Sequence, residues 1–118
     1  MIRIGICDDE KIILEMLGKI ISTCLEELGV EAELALFHNG RELLEAGENV
    51  DILFLDIEMP NISGIDIAQS LSYKHLDIIF ISSHDEMIKK CFNRNVVGFV
   101  EKSHLEEIDD IICRIIKK

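Results

Sequence analysis

Four short apolar runs in this chain each stop at a carboxylate, a hydroxyl or an ammonium. Ile4-Gly5-Ile6-Cys7 runs into Asp8-Asp9, Ile52-Leu53-Phe54-Leu55 into Asp56, Ile78-Ile79-Phe80-Ile81 into Ser82, and Val96-Val97-Gly98-Phe99-Val100 into Glu101-Lys102. If these runs are parallel strands of one sheet, their carboxyl ends lie along one edge, which is where open α/β sheets bind ligands. Three carboxylates, a hydroxyl and an ammonium then converge there.

Between the runs the apolar period changes from strand-like to helix-like, and that alternation predicts βαβ units with helices on both faces of the sheet. Five units fit. Strand 3–7 precedes a helix over 10–28, in which Ile13, Met16, Leu17, Ile20, Ile21, Cys24 and Leu28 recur at helical spacing and Gly29 closes the end. Strand 31–37 alternates polar and apolar, as an edge does, and a short helix over 40–45 follows it. Strand 51–55 is continuously apolar and therefore central.

Three capping boxes then mark helix starts: Ser63 with Asp66, Ser83 with Glu86, and Ser103 with Glu106. The first opens a helix reaching about residue 73, and the second follows strand 77–81 and opens a helix through 92. The third follows strand 96–100 and opens a helix that buries Leu105, Ile108, Ile111, Ile112 and Ile115.

A chain of 118 residues is one domain by size, and with 48% hydrophobic residues and one proline it carries no tract that reads as linker or disorder. Residues 1–118 are expected to form a single unit. Charged residues interrupt every apolar stretch well before span length, so a cytoplasmic protein with no membrane contact is expected. Cys7, Cys24, Cys91 and Cys113 are widely spaced among apolar neighbours, which fits buried thiols and not a zinc site or a disulfide. Twelve basic against twenty-three acidic residues give a net charge of −11, a surface that repels a phosphate backbone, so direct nucleic-acid binding by this domain is not expected.

Two adjacent carboxylates in a shared low-dielectric site repel unless a cation sits between them, and Asp56 sharpens that need. Oxygen-only ligands select Mg²⁺ or Mn²⁺. Asp9 and Asp56 are the candidate direct ligands, with Asp8 acting through water. At a strand end the Asp56 carboxylate can attack a phosphoryl group to form an acyl phosphate, with metal, Lys102 and Ser82 neutralising the equatorial oxygens.

These residues together resemble the receiver domain of bacterial two-component response regulators, over the whole chain and with the motifs in order. Asp8-Asp9-Glu10 resembles the family's acid pair, and the stretch from Phe54-Leu55-Asp56 through Ile57-Glu58-Met59-Pro60-Asn61-Ile62-Ser63-Gly64 resembles its phosphoacceptor strand and loop. The resemblance implies a doubly wound, flavodoxin-like and CheY-like α/β fold, with five parallel strands in the order 2-1-3-4-5 and five helices. It implies that Asp56 accepts phosphate from the phosphohistidine of a sensor histidine kinase, that the backbone carbonyl of Glu58 adds a metal ligand, and that Ser82 and Lys102 contact the phosphoryl oxygens. It also makes Phe99 the switch aromatic. The readout surface it implies is the face of the fourth helix, fifth strand and fifth helix, carrying Lys89, Lys90, Arg94 and the last helix, where relatives also form homodimers.

The texture of Phe37-His38-Asn39-Gly40-Arg41-Glu42-Leu43-Leu44 and of Ile81-Ser82-Ser83-His84-Asp85-Glu86 is similar to receivers preceding a LytTR-type (LytR/AgrA-like) DNA-binding domain. That similarity implies an output domain for transcription regulation beyond residue 118. One position departs from the family pattern: Ser103 stands where proline usually follows the lysine. A cis bond there costs about 3 kcal/mol without proline, so a trans loop that aims Lys102 differently is the alternative.

Plainer readings stand beside each assignment. Asp8 and Asp9 are also good helix caps, Ser83 competes with Ser82, Phe99 could be a core aromatic, and His38, His75, His84 and His104 read as scattered surface residues. Asp56-Ile57-Glu58 also resembles the nucleophile motif of haloacid-dehalogenase-type phosphatases, although the chain lacks their extra strands and cap. Turnover of an external substrate is not expected. A pseudo-receiver that binds partners without phosphorylation is the remaining alternative.

Overall fold

The computed structural model describes residues 2–46, 50–59, 63–71, 76–83 and 96–116. Five strands, β1 (Ile2–Cys7), β2 (Ala32–Phe37), β3 (Ile52–Asp56), β4 (Asp77–Ser82) and β5 (Val96–Glu101), form one parallel sheet in the order β2-β1-β3-β4-β5. The helices are α1 (Lys11–Leu28), α2 (Gly40–Ala46), α3 (Gly64–Ser70) and α4 (Ile108–Ile116), the last led by a 3-10 turn at Leu105–Glu107. Thus α4 is the closing helix of the sequence reading. The helix expected over 83–92, with Lys89, Lys90, Cys91 and Arg94, lies outside the described residues beyond Ser83, as does the end of the helix expected to reach residue 73.

Period-two alternation splits each central strand between two cores. Ile4, Ile6, Phe54, Ile79 and Ile81 pack with Leu14, Leu17 and Ile21 of α1 and with Ile108 and Ile112 of α4. Cys7, Leu53, Leu55, Ile78 and Phe80 face the other way, against Leu43 of α2 and Ile67 and Ala68 of α3. Because both faces are covered, β3 is buried at every position, while the edge strand β2 is mostly half-buried or exposed. This two-sided burial is what made the central runs continuously apolar.

Two expectations about α1 and α4 need correction. Met16 recurs at the helical spacing of α1 but is 44% exposed, and Leu14 and Leu25 take the core positions with Leu17, Ile21 and Cys24. The stripe is rotated toward the Leu14 side. Ser103 does not cap the last helix with Glu106: its hydroxyl lies 3.3 Å from Glu101 Oε2, and the residue before the 3-10 turn, His104, makes no side-chain cap. A carboxylate two residues back captures the hydroxyl before the helix amides can.

Where the expected cap does form, it sets the start of α3. Ser63 Oγ accepts from Asp66 N at 3.2 Å and donates to Asp66 Oδ2 at 3.1 Å, so α3 begins at Gly64. Ser63→Ala is expected to cost about 1 kcal/mol, measurable by urea denaturation. At the other end of the chain's first unit, Gly29 closes α1 with φ 68, the left-handed conformation expected of it.

Candidate functional site

Strands β1, β3, β4 and β5 each deliver a group to the carboxyl edge of the sheet. Short backbone bonds carry the pairing one residue past the strands: Asp8 N donates to Phe37 O (3.1 Å), Ile57 N to Ile81 O (3.0 Å) and Lys102 N to Ser82 O (2.9 Å). These bonds leave Asp8, Asp56, Ser82 and Lys102 abreast.

The two inner carboxylates are held in the same way. Asp56 Oδ1 accepts from Glu58 N at 3.1 Å, and Asp8 Oδ1 accepts from Glu10 N at 2.8 Å. Their other oxygens face one ammonium, with Lys102 Nζ 3.5 Å from Asp56 Oδ2 and 3.3 Å from Asp8 Oδ2. Both aspartates are buried, at 1% and 0% exposure. Glu10 completes the group from the solvent side, its Oε1 2.8 Å from Lys102 Nζ.

One ammonium against three carboxylates leaves the pocket short of positive charge. Burial, followed by the charge of Asp8, pushes the Asp56 carboxyl up to about 7 despite Lys102 and the Glu58 amide. Burial likewise raises Asp8, against the opposing pull of the Glu10 amide and Lys102. For Lys102 burial works against the charge, but its bond to Glu10 and the charges of Asp56 and Asp8 outweigh it and raise its pKa. Cys7, directly before the pair, is driven to about 12 by burial and then by Asp8, and its thiol lies 3.8 Å from Met59 Sδ, so it is a core group and no nucleophile.

A divalent cation fits this donor set. Carboxylate oxygens of Asp8, Asp9 and Glu10 lie within 4.8 Å of one another. Asp8 Oδ2 is buried and pairs with Lys102 without an aligned hydrogen bond, so it keeps a lone pair that suits a hard cation or its water. Asp56 is not one of those three; it joins them through the Lys102 ammonium, which its Oδ2 shares with Asp8 Oδ2.

Ser82 is fully buried and donates to Glu58 Oε1 at 3.1 Å, while its neighbour Ser83 donates to the same oxygen at 3.0 Å. Beyond the carbonyl expected of it, Glu58 donates its amide to Asp56 Oδ1, and its side chain engages both serines. Phe99 is 48% exposed on β5, so the core-aromatic reading of it fails. The described peptide bonds are all trans, and Lys102 reaches both aspartates regardless, so Ser103 does not turn it away.

Sequence reasoning gave no role to the side chains of Glu10 and Glu58. The partner of Glu10 is 92 residues away and that of Glu58 is 24 away, and only the parallel register brings them together. His38 and His104 pair with Glu42 and Glu101 at the surface and touch none of this.

A family model described as the response regulator receiver domain matches residues 4–113. The chain is 32% identical over 114 residues to the transcriptional regulatory protein BtsR of Salmonella typhi, covering 91% of this chain and 46% of that protein. It is 27% identical over 106 residues to the transcriptional regulatory protein NatR of Bacillus subtilis, covering 88% and 45%. It therefore spans less than half the length of these curated relatives. Among solved structures, the response regulator protein TrrA from Thermotoga maritima, in complex with Mg²⁺-BeF, superposes with a TM-score of 0.78 at 30% identity, over 99% of this chain and 98% of that one.

Proposed function

This chain belongs to the response regulator receiver domain family, and from that premise we propose that Asp56 is its phosphoacceptor. The observation that carries the reading is the pair of buried carboxylates, Asp8 and Asp56, whose free oxygens share the Lys102 ammonium. The Asp56 carboxylate attacks the phosphorus of a phosphohistidine on a sensor histidine kinase. The P–N bond breaks, its electron pair stays on the imidazole nitrogen, and an acyl phosphate remains on Asp56.

Lys102 supplies a fixed positive charge for the transferred group, and the Ser82 hydroxyl supplies a donor at the end of the neighbouring strand. The Glu58 amide holds Asp56 Oδ1 and so fixes the plane of the attacking carboxylate. Asp8, Asp9, Asp56 and the Glu58 carbonyl are the groups that would hold Mg²⁺ or Mn²⁺; such an ion, when bound, supplies the positive charge that the pocket lacks. The Mg²⁺-BeF complex of TrrA supports this reading.

The whole of residues 1–118 serves as this one receiver, with Phe99 as the aromatic that couples the site to the surface formed by β5 and α4. No external substrate is turned over. The output is transcription regulation by a DNA-binding domain, in the same chain or on a partner. The names of BtsR and NatR, and the length by which they exceed this chain, support that assignment. The membrane plays no part in it; among the described residues no helix is long and apolar enough to cross one.

Incubation with acetyl phosphate and Mg²⁺, read by intact mass, tests the proposal. The wild type is expected to gain a single phosphoryl group and Asp56→Asn none. An unlabelled wild type would favour a receiver that binds partners without being phosphorylated, and a labelled Asp56→Asn would move the acceptor elsewhere.

A further inference from the structure

Both hydroxyls that follow the apolar part of β4 end on one oxygen. Ser82 Oγ donates to Glu58 Oε1 at 3.1 Å and Ser83 Oγ donates to it at 3.0 Å. We propose that the Glu58 carboxylate is a placeholder for a phosphoryl oxygen: it holds the Ser82 hydroxyl in the resting state, and charging of Asp56 requires that hydroxyl to leave it. The inference rests on the reading of Asp56 as phosphoacceptor with Ser82 as a phosphoryl contact.

A serine hydroxyl has one proton to donate. Glu58 and a phosphoryl oxygen are therefore alternative acceptors for Ser82, and whatever stabilises one contact opposes the other. The Ser82 side chain is fully buried, so its hydroxyl needs an acceptor in every state, and an ionised carboxylate is a strong one. Glu58 is also well placed for the part. Its amide is tied to Asp56 Oδ1 at 3.1 Å, and Ile57 N bonds to Ile81 O at 3.0 Å, so the acceptor, Glu58 and the end of β4 are fixed relative to one another.

The Ser82 hydroxyl then keeps its proton and changes acceptor from one anion to the other by side-chain rotation. Ser83, exposed beside it, donates to the same Glu58 oxygen and steadies the carboxylate in the resting arrangement. Glu58 is thus a positioning residue, acting on the phosphoryl group through Ser82.

Calorimetric titration of beryllofluoride with Mg²⁺ into the wild type, Glu58→Ala, Ser82→Ala and the double variant tests this. Glu58→Ala is expected to bind roughly tenfold more tightly than the wild type, the size of one hydrogen bond to a charged group. In the Ser82→Ala background the same Glu58→Ala change is expected to matter about twofold or less, because the double-variant cycle isolates what passes through that hydroxyl. Glu58→Gln, which keeps an acceptor without the charge, is expected to fall between and carries the same cycle if the alanine variant does not fold.

An equal gain in both backgrounds would reduce Glu58 to one more nearby negative charge and overturn the placeholder. No gain in either would do the same while leaving Asp56 as the acceptor. A wild type that takes up no beryllofluoride would remove the underlying reading and the placeholder together.

Discussion

Gly64→Ala is expected to unfold roughly 10 °C earlier than the wild type and to displace the backbone at Asp56 and Ile57, from a single added methyl group. A Cβ at this position would lie 2.2 Å from Asp56 O, 2.8 Å from Ile57 Cα and 2.9 Å from Asp56 C. All three are backbone atoms of the strand end that carries the acceptor, so no flexible side chain can swing clear. Gly64 N also donates to Ile57 O at 3.0 Å, which pins the start of α3 against that strand. Either this bond opens or Asp56 moves.

Overpacking of this kind costs about 3 kcal/mol, and a domain of this size loses roughly 3 to 5 °C for each kcal/mol. The informative control is the same substitution elsewhere. A Cβ at Gly18, inside α1, meets nothing within 4 Å, so Gly18→Ala is expected to gain up to about 1 kcal/mol through helix propensity. Thermal melts of the two variants should therefore move in opposite directions. A Gly64→Ala protein that melts with the wild type would mean that the backbone around Asp56 is not held by α3.

The two glycines also mark how far the sequence could be read. The strands were legible because burial on both faces writes a continuous apolar run, and β3 and β4 lie within a residue of their expected bounds. The edge character of β2 was legible for the converse reason. Sheet order was not, since adjacency of β1 and β3 leaves no local mark; it came from resemblance to a family. Met16 misled because an unbranched apolar side chain at helical spacing looks the same on a core stripe and beside it.

In the site, residue types at strand ends announced Asp8, Asp56, Ser82 and Lys102, because a strand end is where a polar group can leave the core. What each group touches was a different matter. The side chains of Glu10 and Glu58 had no role until the register brought their partners within reach, and Ser103 read as a cap until the Glu101 carboxylate two residues back took its hydroxyl. Local rules succeed where one element decides the outcome and fail where two compete for one donor.

Asp56→Asn is expected to make the metal-free protein more stable at about pH 8, and no more stable than the wild type at about pH 4. The folded protein holds the Asp56 carboxyl at about 7, against an ordinary 3.8, chiefly through burial and then through the Asp8 charge. Between those values the folded state retains a proton that the unfolded chain has released, so stability is fully present below 3.8 and falls as pH rises through about 7. Such a displacement corresponds to about 4 kcal/mol at most. Asparagine carries no charge to desolvate, but it gives up part of the contact with Lys102 or the Glu58 amide, so the net gain at about pH 8 should be about 2 kcal/mol.

Urea denaturation in the presence of a chelator, at the two pH values, measures this directly. Added Mg²⁺ is then expected to raise the midpoint of the wild type at about pH 8 and to raise that of Asp56→Asn much less, since a ligand stabilises only the state that binds it. If Asp56→Asn proves less stable at both pH values, the carboxylate is not strained by its surroundings and Lys102 alone satisfies it. If the predicted pattern holds, the instability of the ionised acid cluster at neutral pH is itself what favours uptake of a cation, which relieves the excess of negative charge at the end of β3 and offsets the further negative charge that a phosphoryl group brings.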